Sequence, residues 1–251
     1  MLILNFLYFL WGLIFGSFIN VLRFRLPYNL SIIKPRSFCP NCKYSIPFYR
    51  NIPVISYILQ FGKCSNCNCK ISILYPIIEI STALIWLFSS FYFNSFNDIL
   101  YYSTIASILL CICFIDYKHF IIPLELSIFC LLFIIIHLSI NKNLLNHLDG
   151  LIIGTGYLSI IFLLTWLITK RKSLGFGDIQ LTLILGLWLG DYRVLLVIFI
   201  AAFTALIYWL LISILDEFDN NRALPFGSFL STISILVFPF DFTNINFTLF
   251  L

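Results

Sequence analysis

The sequence predicts an all-α polytopic membrane protein with about eight transmembrane helices and a small four-cysteine loop domain. Of its 251 residues, 61% are hydrophobic and only 10% are charged, and the mean hydropathy is +1.01. A soluble domain of this length needs a polar exterior that such a composition cannot supply. The apolar runs are continuous rather than alternating, which favours helices over a β-barrel, since a helix satisfies its own backbone hydrogen bonds inside a bilayer.

The apolar runs between charged or turn-like breaks predict the individual spans. They lie near 2–22, 74–94, 99–115, 121–140, 150–169, 179–190, 194–215 and 226–240. The first run has no charge and no small-x-small cleavage site, so we interpret it as a retained span rather than a removable signal peptide. The predicted domains are therefore a first transmembrane helix at 1–22, a four-cysteine domain at 23–73 and a transmembrane domain at 74–251.

The basic residues predict the orientation, because cytoplasmic loops carry an excess of Lys and Arg. With the 23–73 loop in the cytoplasm, all of the 15 Lys and Arg except Lys142 and Arg193 fall on that side. We therefore expect a multi-pass protein of the cytoplasmic membrane with its N-terminus outside. The lipid bilayer is the partner that composition predicts and no nucleic-acid partner is expected, while the oligomeric state stays open.

Four cysteines of the 23–73 loop form two C-x-x-C pairs, Cys39 with Cys42 and Cys64 with Cys67. Each pair aims two thiolates at one point, and two pairs complete a tetrahedral metal site. The loop has few large apolar groups, so a structural zinc ion, or another thiolate-binding metal, would supply its folding energy. Two disulfides are the alternative, which a reducing cytoplasm disfavours. Cys69 could replace one of the four as a ligand.

Two aspartates lie at the predicted cytoplasmic edge of the membrane, Asp116 at the end of the third span and Asp178 at the start of the sixth. Ionisable groups at such positions are costly and usually mark function. Two carboxylates on one side suit aspartyl hydrolysis, in which one takes a proton from water and the other donates to the scissile carbonyl. Gly175 and Gly177 allow a tight turn and close approach of a peptide. The alternative is that both aspartates only cap or end helices.

Helix polarity adds a hypothesis about the shared proton. Asp116 lies near a helix C-terminus, where the dipole disfavours an anion, and Asp178 lies at an N-terminus, where the dipole favours one. We therefore expect Asp116 to hold the proton and Asp178 to act as the base. Glu79, inside the second span, either hydrogen-bonds within the bundle or faces a substrate.

Short motifs follow one another in order along almost the whole chain. They are Gly-Ser-Phe-Ile-Asn at 16–20, Arg-Leu-Pro at 25–27, Cys-Pro-Asn-Cys at 39–42, Asn-Ile-Pro-Val-Ile-Ser-Tyr at 51–57, Cys-Ser-Asn-Cys at 64–67, Tyr-Pro-Ile-Ile-Glu at 75–79, Ile-Asp at 115–116, Ile-Pro at 122–123, Gly-Phe-Gly-Asp at 175–178 and Pro-Phe-Gly at 225–227. Together they resemble the type IV prepilin peptidase family, a group of bifunctional leader peptidases and N-methyltransferases of the GxGD aspartyl protease type.

The resemblance implies an intramembrane aspartyl endopeptidase of a bacterial cytoplasmic membrane. Its catalytic pair would be Asp116 and Asp178, and its metal ligands would be the four cysteines of the two C-x-x-C pairs. It would cleave the short basic leader of prepilins or pseudopilins on the cytoplasmic face, in a pilus, type II secretion or competence system. N-methylation of the new N-terminal residue with S-adenosylmethionine would follow, with 23–73 as the associated domain and Glu79 as a candidate cofactor contact.

Four positions depart from the family's pattern. Leu74 stands where arginine is usual, Leu124 where aspartate or asparagine is usual, Gln180 where lysine is usual, and Ser228 where proline is usual. Leu74 lies in the part associated with methylation, so a peptidase without methyltransferase activity is one alternative. A catalytically inactive membrane scaffold is the other.

Overall fold

The computed structural model describes residues 2–170, 175–215 and 223–240, which are mostly helical and contain no β-strand. The all-α class predicted from composition is therefore confirmed. The helices are α1 (Leu2–Arg25), α2 (Ile55–Leu59), α3 (Leu74–Tyr92), α4 (Phe96–His119), α5 (Leu124–Ile140), α6 (Leu144–Thr169), α7 (Phe176–Leu189), α8 (Asp191–Leu215) and α9 (Phe226–Val237).

Five of these helices, α1, α3, α4, α6 and α8, are long and apolar enough to cross a membrane. Helices α5, α7 and α9 are equally apolar but shorter. These eight helices match the eight predicted spans in order, so the expectation of about eight spans is roughly confirmed. Their bounds differ by several residues: α4 continues past Asp116 to His119, and α5 begins only after Pro123. The chain is an integral membrane protein.

The chain divides into two compact units, Met1–Cys111 and Ile112–Leu251. In the first unit, α1 packs directly against α3 at two glycines. A Cβ on Gly12 would lie 2.5 Å from a backbone Cα of α3, and a Cβ on Gly16 would lie 2.7 Å from another. Only glycine permits this approach, which is how small residues bring membrane helices together. The predicted division at residues 22 and 73 stays a prediction.

The second unit is built around α7, whose residues from Leu181 to Leu189 are almost all buried. A Cβ on Gly186 of α7 would lie 2.5 Å from the carbonyl oxygen of Gly150 in α6, so the two backbones touch. At the far end of α7, Trp188 stacks on the ring of Phe238 with the centroids 4.4 Å apart. These contacts fix α7, and with it the N-terminal end that carries Asp178.

Candidate functional site

Asp116 lies in the last turn of α4 and is held by the first turn of α9. Its Oδ2 accepts hydrogen bonds from the backbone N–H of Ser228 at 2.7 Å and from the Ser228 hydroxyl at 3.0 Å. The same hydroxyl lies 2.9 Å from the carbonyl oxygen of Cys113. A Cβ on Gly227 would lie 3.1 Å from both Cγ and Oδ2 of Asp116, so the glycine lets the α9 backbone approach the carboxylate. Asp116 is therefore fixed at the positive end of a second helix.

Asp178 occupies the third position of α7. Its Oδ2 accepts a hydrogen bond from the N–H of Gly175 at 3.1 Å, and its own N–H donates to the Gly175 carbonyl oxygen at 3.1 Å, so Asp178 caps the start of α7. The side chain is only 8% exposed. The capping contact that the sequence left as an alternative is thus present, and it holds the carboxylate in one orientation.

The two aspartates come together around Ile122, which lies between α4 and α5. A Cβ on Gly177, next to Asp178, would lie 3.2 Å from the Ile122 Cβ, and one on Gly227 would lie 2.8 Å from the Ile122 Cδ1. The turn that carries Asp178 and the turn of α9 that holds Asp116 therefore meet at the same isoleucine. Two carboxylates brought to one site are the groups that acid–base hydrolysis with a shared proton uses.

Two of the residues that depart from the family's pattern, Gln180 and Leu124, differ in their surroundings. Gln180 donates a hydrogen bond of 2.6 Å from its Nε2 to the hydroxyl of Ser127, which ties α7 to α5. Leu124, at the start of α5, is exposed. The contact between Ser228 and Asp116 was missed by the sequence reasoning, which recorded Ser228 only as a departure. No local pattern links two residues 112 positions apart.

The two C-x-x-C pairs share one local geometry. The N–H of Cys39 donates to the carbonyl oxygen of Tyr44, and the N–H of Cys64 donates to that of Cys69, both at 2.9 Å. Four residues after each first cysteine, the chain takes a left-handed conformation, with φ of 60° at Lys43 and 57° at Asn68. Two equivalent knuckles of this kind are the arrangement that the spacing predicted.

The cysteine sulfurs converge at distances that suit a bound metal ion. The sulfurs of Cys39 and Cys67 and those of Cys42 and Cys64 are 3.9 Å apart. Zinc–sulfur bonds of about 2.3 Å give tetrahedron edges of about 3.8 Å, so both separations fit. Cys69 also lies close, with its sulfur 3.2 Å from that of Cys67. The four sulfurs that are all within 4.8 Å of one another are those of Cys39, Cys64, Cys67 and Cys69, a set that contains Cys69 in place of the predicted Cys42.

Backbone donors favour the thiolate form at two of these cysteines. Hydrogen bonds from the N–H groups of Cys67 and Asn66 lower the pKa of Cys64 to about 6. A hydrogen bond from the N–H of Tyr44 is the main cause that lowers the pKa of Cys42. Metals bind the thiolate rather than the thiol, so the knuckle backbone prepares the site for a cation.

Glu79 lies in α3, inside the first unit, and is 7% exposed. Its Oε2 accepts a hydrogen bond of 2.7 Å from the N–H of Val54, just before α2. Val54 has φ of 59°, a conformation that β-branched residues rarely adopt. Glu79 therefore stabilises a strained turn, in agreement with the hydrogen-bonding alternative; its role as a cofactor contact stays a prediction.

Comparison with known proteins adds the family. Residues 10–93 match the model of the bacterial peptidase A24 N-terminal domain, and residues 103–210 match that of the type IV leader peptidase family. The prepilin leader peptidase/N-methyltransferase of Dichelobacter nodosus is 30% identical over 91% of this chain and 89% of its own length. That of Bacillus subtilis (strain 168) is 28% identical over 95% of each chain. No solved structure matches. The predicted resemblance is confirmed: the chain belongs to the type IV leader peptidase family.

Proposed function

We propose that this protein is an aspartyl endopeptidase that removes the basic leader from type IV prepilins or pseudopilins, with Asp116 and Asp178 as its catalytic carboxylates. The observation that carries the proposal is the convergence of these two buried carboxylates around Ile122. The family membership and the names of the relatives agree with it. The leader would be cut on the cytoplasmic face of a bacterial cytoplasmic membrane.

The chemistry follows from a dyad that shares one proton. The ionised carboxylate takes a proton from a water molecule while the water oxygen attacks the scissile carbonyl carbon. The protonated carboxylate gives its proton to the carbonyl oxygen, and a tetrahedral diol forms. The carboxyl that took the water proton then gives it to the peptide nitrogen, while the other carboxylate takes a proton from one hydroxyl of the diol. The C–N bond breaks, and the leader leaves with a new carboxyl group while the pilin gains a free N-terminal amine.

The hydrogen bonds of the site restrict which carboxylate oxygens take part. Oδ2 of Asp116 accepts from Ser228, and Oδ2 of Asp178 accepts from Gly175. Among the described residues, none donates a hydrogen bond to either Oδ1 atom, so these atoms are available to the water and the substrate. Asp116 lies at the C-terminal end of α4 and also at the N-terminal end of α9, so the two helix dipoles oppose each other there. Helix polarity alone therefore does not decide which of the two aspartates holds the proton.

The cysteine cluster would hold a structural zinc ion. Cys39, Cys42, Cys64 and Cys67 belong to equivalent knuckles, which favours them as the four ligands, with Cys69 as a fifth thiol beside the site. Zinc bound in this way supplies folding energy to the loop rather than chemistry.

We further propose that N-methylation of the new N-terminus with S-adenosylmethionine follows cleavage, as the names of the relatives indicate for those proteins. Glu79 does not offer an open face for the cofactor here, since it is buried and its Oε2 holds the Val54 N–H. No methyl-transfer step is therefore assigned to a residue of this chain.

Leader removal from a co-expressed prepilin tests the peptidase assignment, and Asp116→Asn and Asp178→Asn are the decisive variants. Asp149→Asn, which changes an exposed carboxylate of α6, is the matched control. We expect the wild type and the control to release the leader, and both catalytic variants to insert normally and leave it attached. Equal processing by Asp116→Asn would refute the assignment and favour the scaffold. Mass spectrometry of the processed N-terminus then shows whether one methyl group has been added.

A further inference from the structure

We propose that the hydroxyl of Ser228 is a positioning group that keeps Asp116 hydrogen-bonded in both of its protonation states. The inference rests on the proposed role of Asp116 as a catalytic carboxylate. Ser228 itself touches neither water nor peptide in this scheme. It acts on the reaction only through Asp116.

The geometry gives the Ser228 hydroxyl two partners of different chemistry. Its Oγ lies 3.0 Å from Oδ2 of Asp116 and 2.9 Å from the carbonyl oxygen of Cys113. A hydroxyl has one proton to donate and two lone pairs that accept, whereas a carbonyl oxygen can only accept. The hydroxyl can therefore donate to only one of these two oxygens at a time with full strength.

This arrangement suits an acid that gains and loses a proton during each turnover. When Asp116 is ionised, the Ser228 hydroxyl donates to Oδ2. When Oδ2 carries a proton, that proton is donated to the Ser228 Oγ, and the hydroxyl rotates to donate to the Cys113 carbonyl. The change between the two states needs rotation about one C–O bond and no movement of heavy atoms.

Burial makes this pairing important. Asp116 is 5% exposed and Ser228 is 6% exposed, so water has little access to replace a missing partner. A buried polar group left without a partner is unfavourable, and a charged one more so. The N–H of Ser228, at 2.7 Å from Oδ2, holds the oxygen in place throughout but cannot accept a proton. Only the hydroxyl can change its role with the state of the acid.

The test compares three variants of the full chain, purified and reconstituted with a prepilin substrate. Ser228→Ala keeps the N–H and removes the hydroxyl, while Ser228→Thr keeps both. Ser231→Ala is the matched control, since Ser231 lies on the same helix, is fully buried, and its Oγ has no hydrogen-bond partner within the described residues. All three are compared with wild type for kcat, KM and thermal unfolding.

We expect Ser228→Ala to lower kcat about tenfold or more, the size of effect that follows when a hydrogen bond to a charged group is lost, with KM within about twofold of wild type. Ser228→Thr should restore most of kcat, and Ser231→Ala should leave it unchanged. In infrared spectra with isotope-labelled aspartate, the protonated-carboxyl band that Asp116→Asn removes should shift in Ser228→Ala.

Two results would overturn the inference. One is a wild-type kcat in Ser228→Ala. The other is an infrared band that does not move in Ser228→Ala. This second result refutes the inference even if Ser228→Thr fails to restore kcat because the added methyl group disturbs packing. Asp116→Asn separates this inference from its premise: if that variant cleaves normally, the peptidase assignment fails, whereas an inactive Asp116→Asn beside a fully active Ser228→Ala removes only the role of Ser228.

Discussion

Gly227→Ala is the substitution that most directly tests how the backbone of α9 positions Asp116. The added Cβ would lie 2.8 Å from Cδ1 of Ile122 and 3.1 Å from both Cγ and Oδ2 of Asp116. Unstrained carbon–carbon contacts are about 3.5–4.0 Å, so the Ile122 methyl must retreat by about 0.7 Å or more. Rotation of that side chain is restricted, because Ile122 also lies close to Gly177.

The carboxylate of Asp116 has less freedom to retreat than Ile122. Its Oδ2 is held at 2.7 Å and 3.0 Å by the N–H and hydroxyl of Ser228, the residue next to the substitution. Any shift that relieves the new contact lengthens one of these bonds. Overpacking of this kind costs about 1–3 kcal/mol of folding stability. Since a misplacement of about 1 Å costs roughly a hundredfold in rate, a shift of a few tenths of an ångström should lower kcat about tenfold.

Single-turnover cleavage of a prepilin by the purified variant measures this effect, together with thermal unfolding. Gly156→Ala is the matched control, because a Cβ on Gly156 in α6 meets nothing within 4 Å. The control should cleave like wild type. A Gly227→Ala protein that keeps the wild-type rate would show that the closeness of α9 to Asp116 has no part in catalysis.

Three further predictions concern the metal loop and the helix contacts. Cys64→Ser should lose the bound zinc, whereas Cys69→Ser should keep one equivalent because two complete knuckles remain. Metal content after purification measures both. Zinc loss from Cys69→Ser alone would show instead that Cys69 is the fourth ligand. Gly186→Ala should lower the thermal unfolding temperature, since its Cβ would lie 2.5 Å from a backbone oxygen of α6, and an unchanged temperature would contradict that packing. Glu79→Gln should speed hydrogen–deuterium exchange at Val54, because an uncharged amide oxygen is a weaker acceptor than a carboxylate; unchanged exchange would mean that Glu79 does not hold this turn.

The sequence was sufficient for the features that depend on composition and chain order. Continuous apolar runs predicted the helices, because a chain in lipid that does not close into a barrel must form its backbone hydrogen bonds within helices. The approximate ends were harder to predict. α4 extends through Asp116 to His119, because polar residues at the membrane edge continue a helix without an apolar signal. The predicted topology placed both aspartates on the same side of the membrane, but topology alone does not give the distance between them.

The contacts that hold the site depend on tertiary structure and were beyond the sequence. Ser228 stands where the family usually has proline, a residue with neither an N–H nor a hydroxyl to donate. The sequence shows that Ser228 differs from the usual proline. Only the structure shows that the serine N–H donates to the carboxylate of Asp116. By contrast, the packing of α1 on α3 leaves a local signal in the sequence. Gly12 and Gly16 form a G-x-x-x-G pattern, which is common where membrane helices touch.

Capping and catalysis, which the sequence presented as alternatives for the aspartates, do not exclude each other. Asp178 accepts the N–H of Gly175 at the start of α7, and Asp116 accepts the N–H of Ser228 in the first turn of α9. Each carboxylate is thus oriented by a helix end. Asparagine retains an oxygen that accepts the same N–H bond but loses the charge and the exchangeable acid proton. Asparagine variants therefore separate the two roles, whereas alanine variants would remove both and could not distinguish a broken helix end from a lost catalytic group.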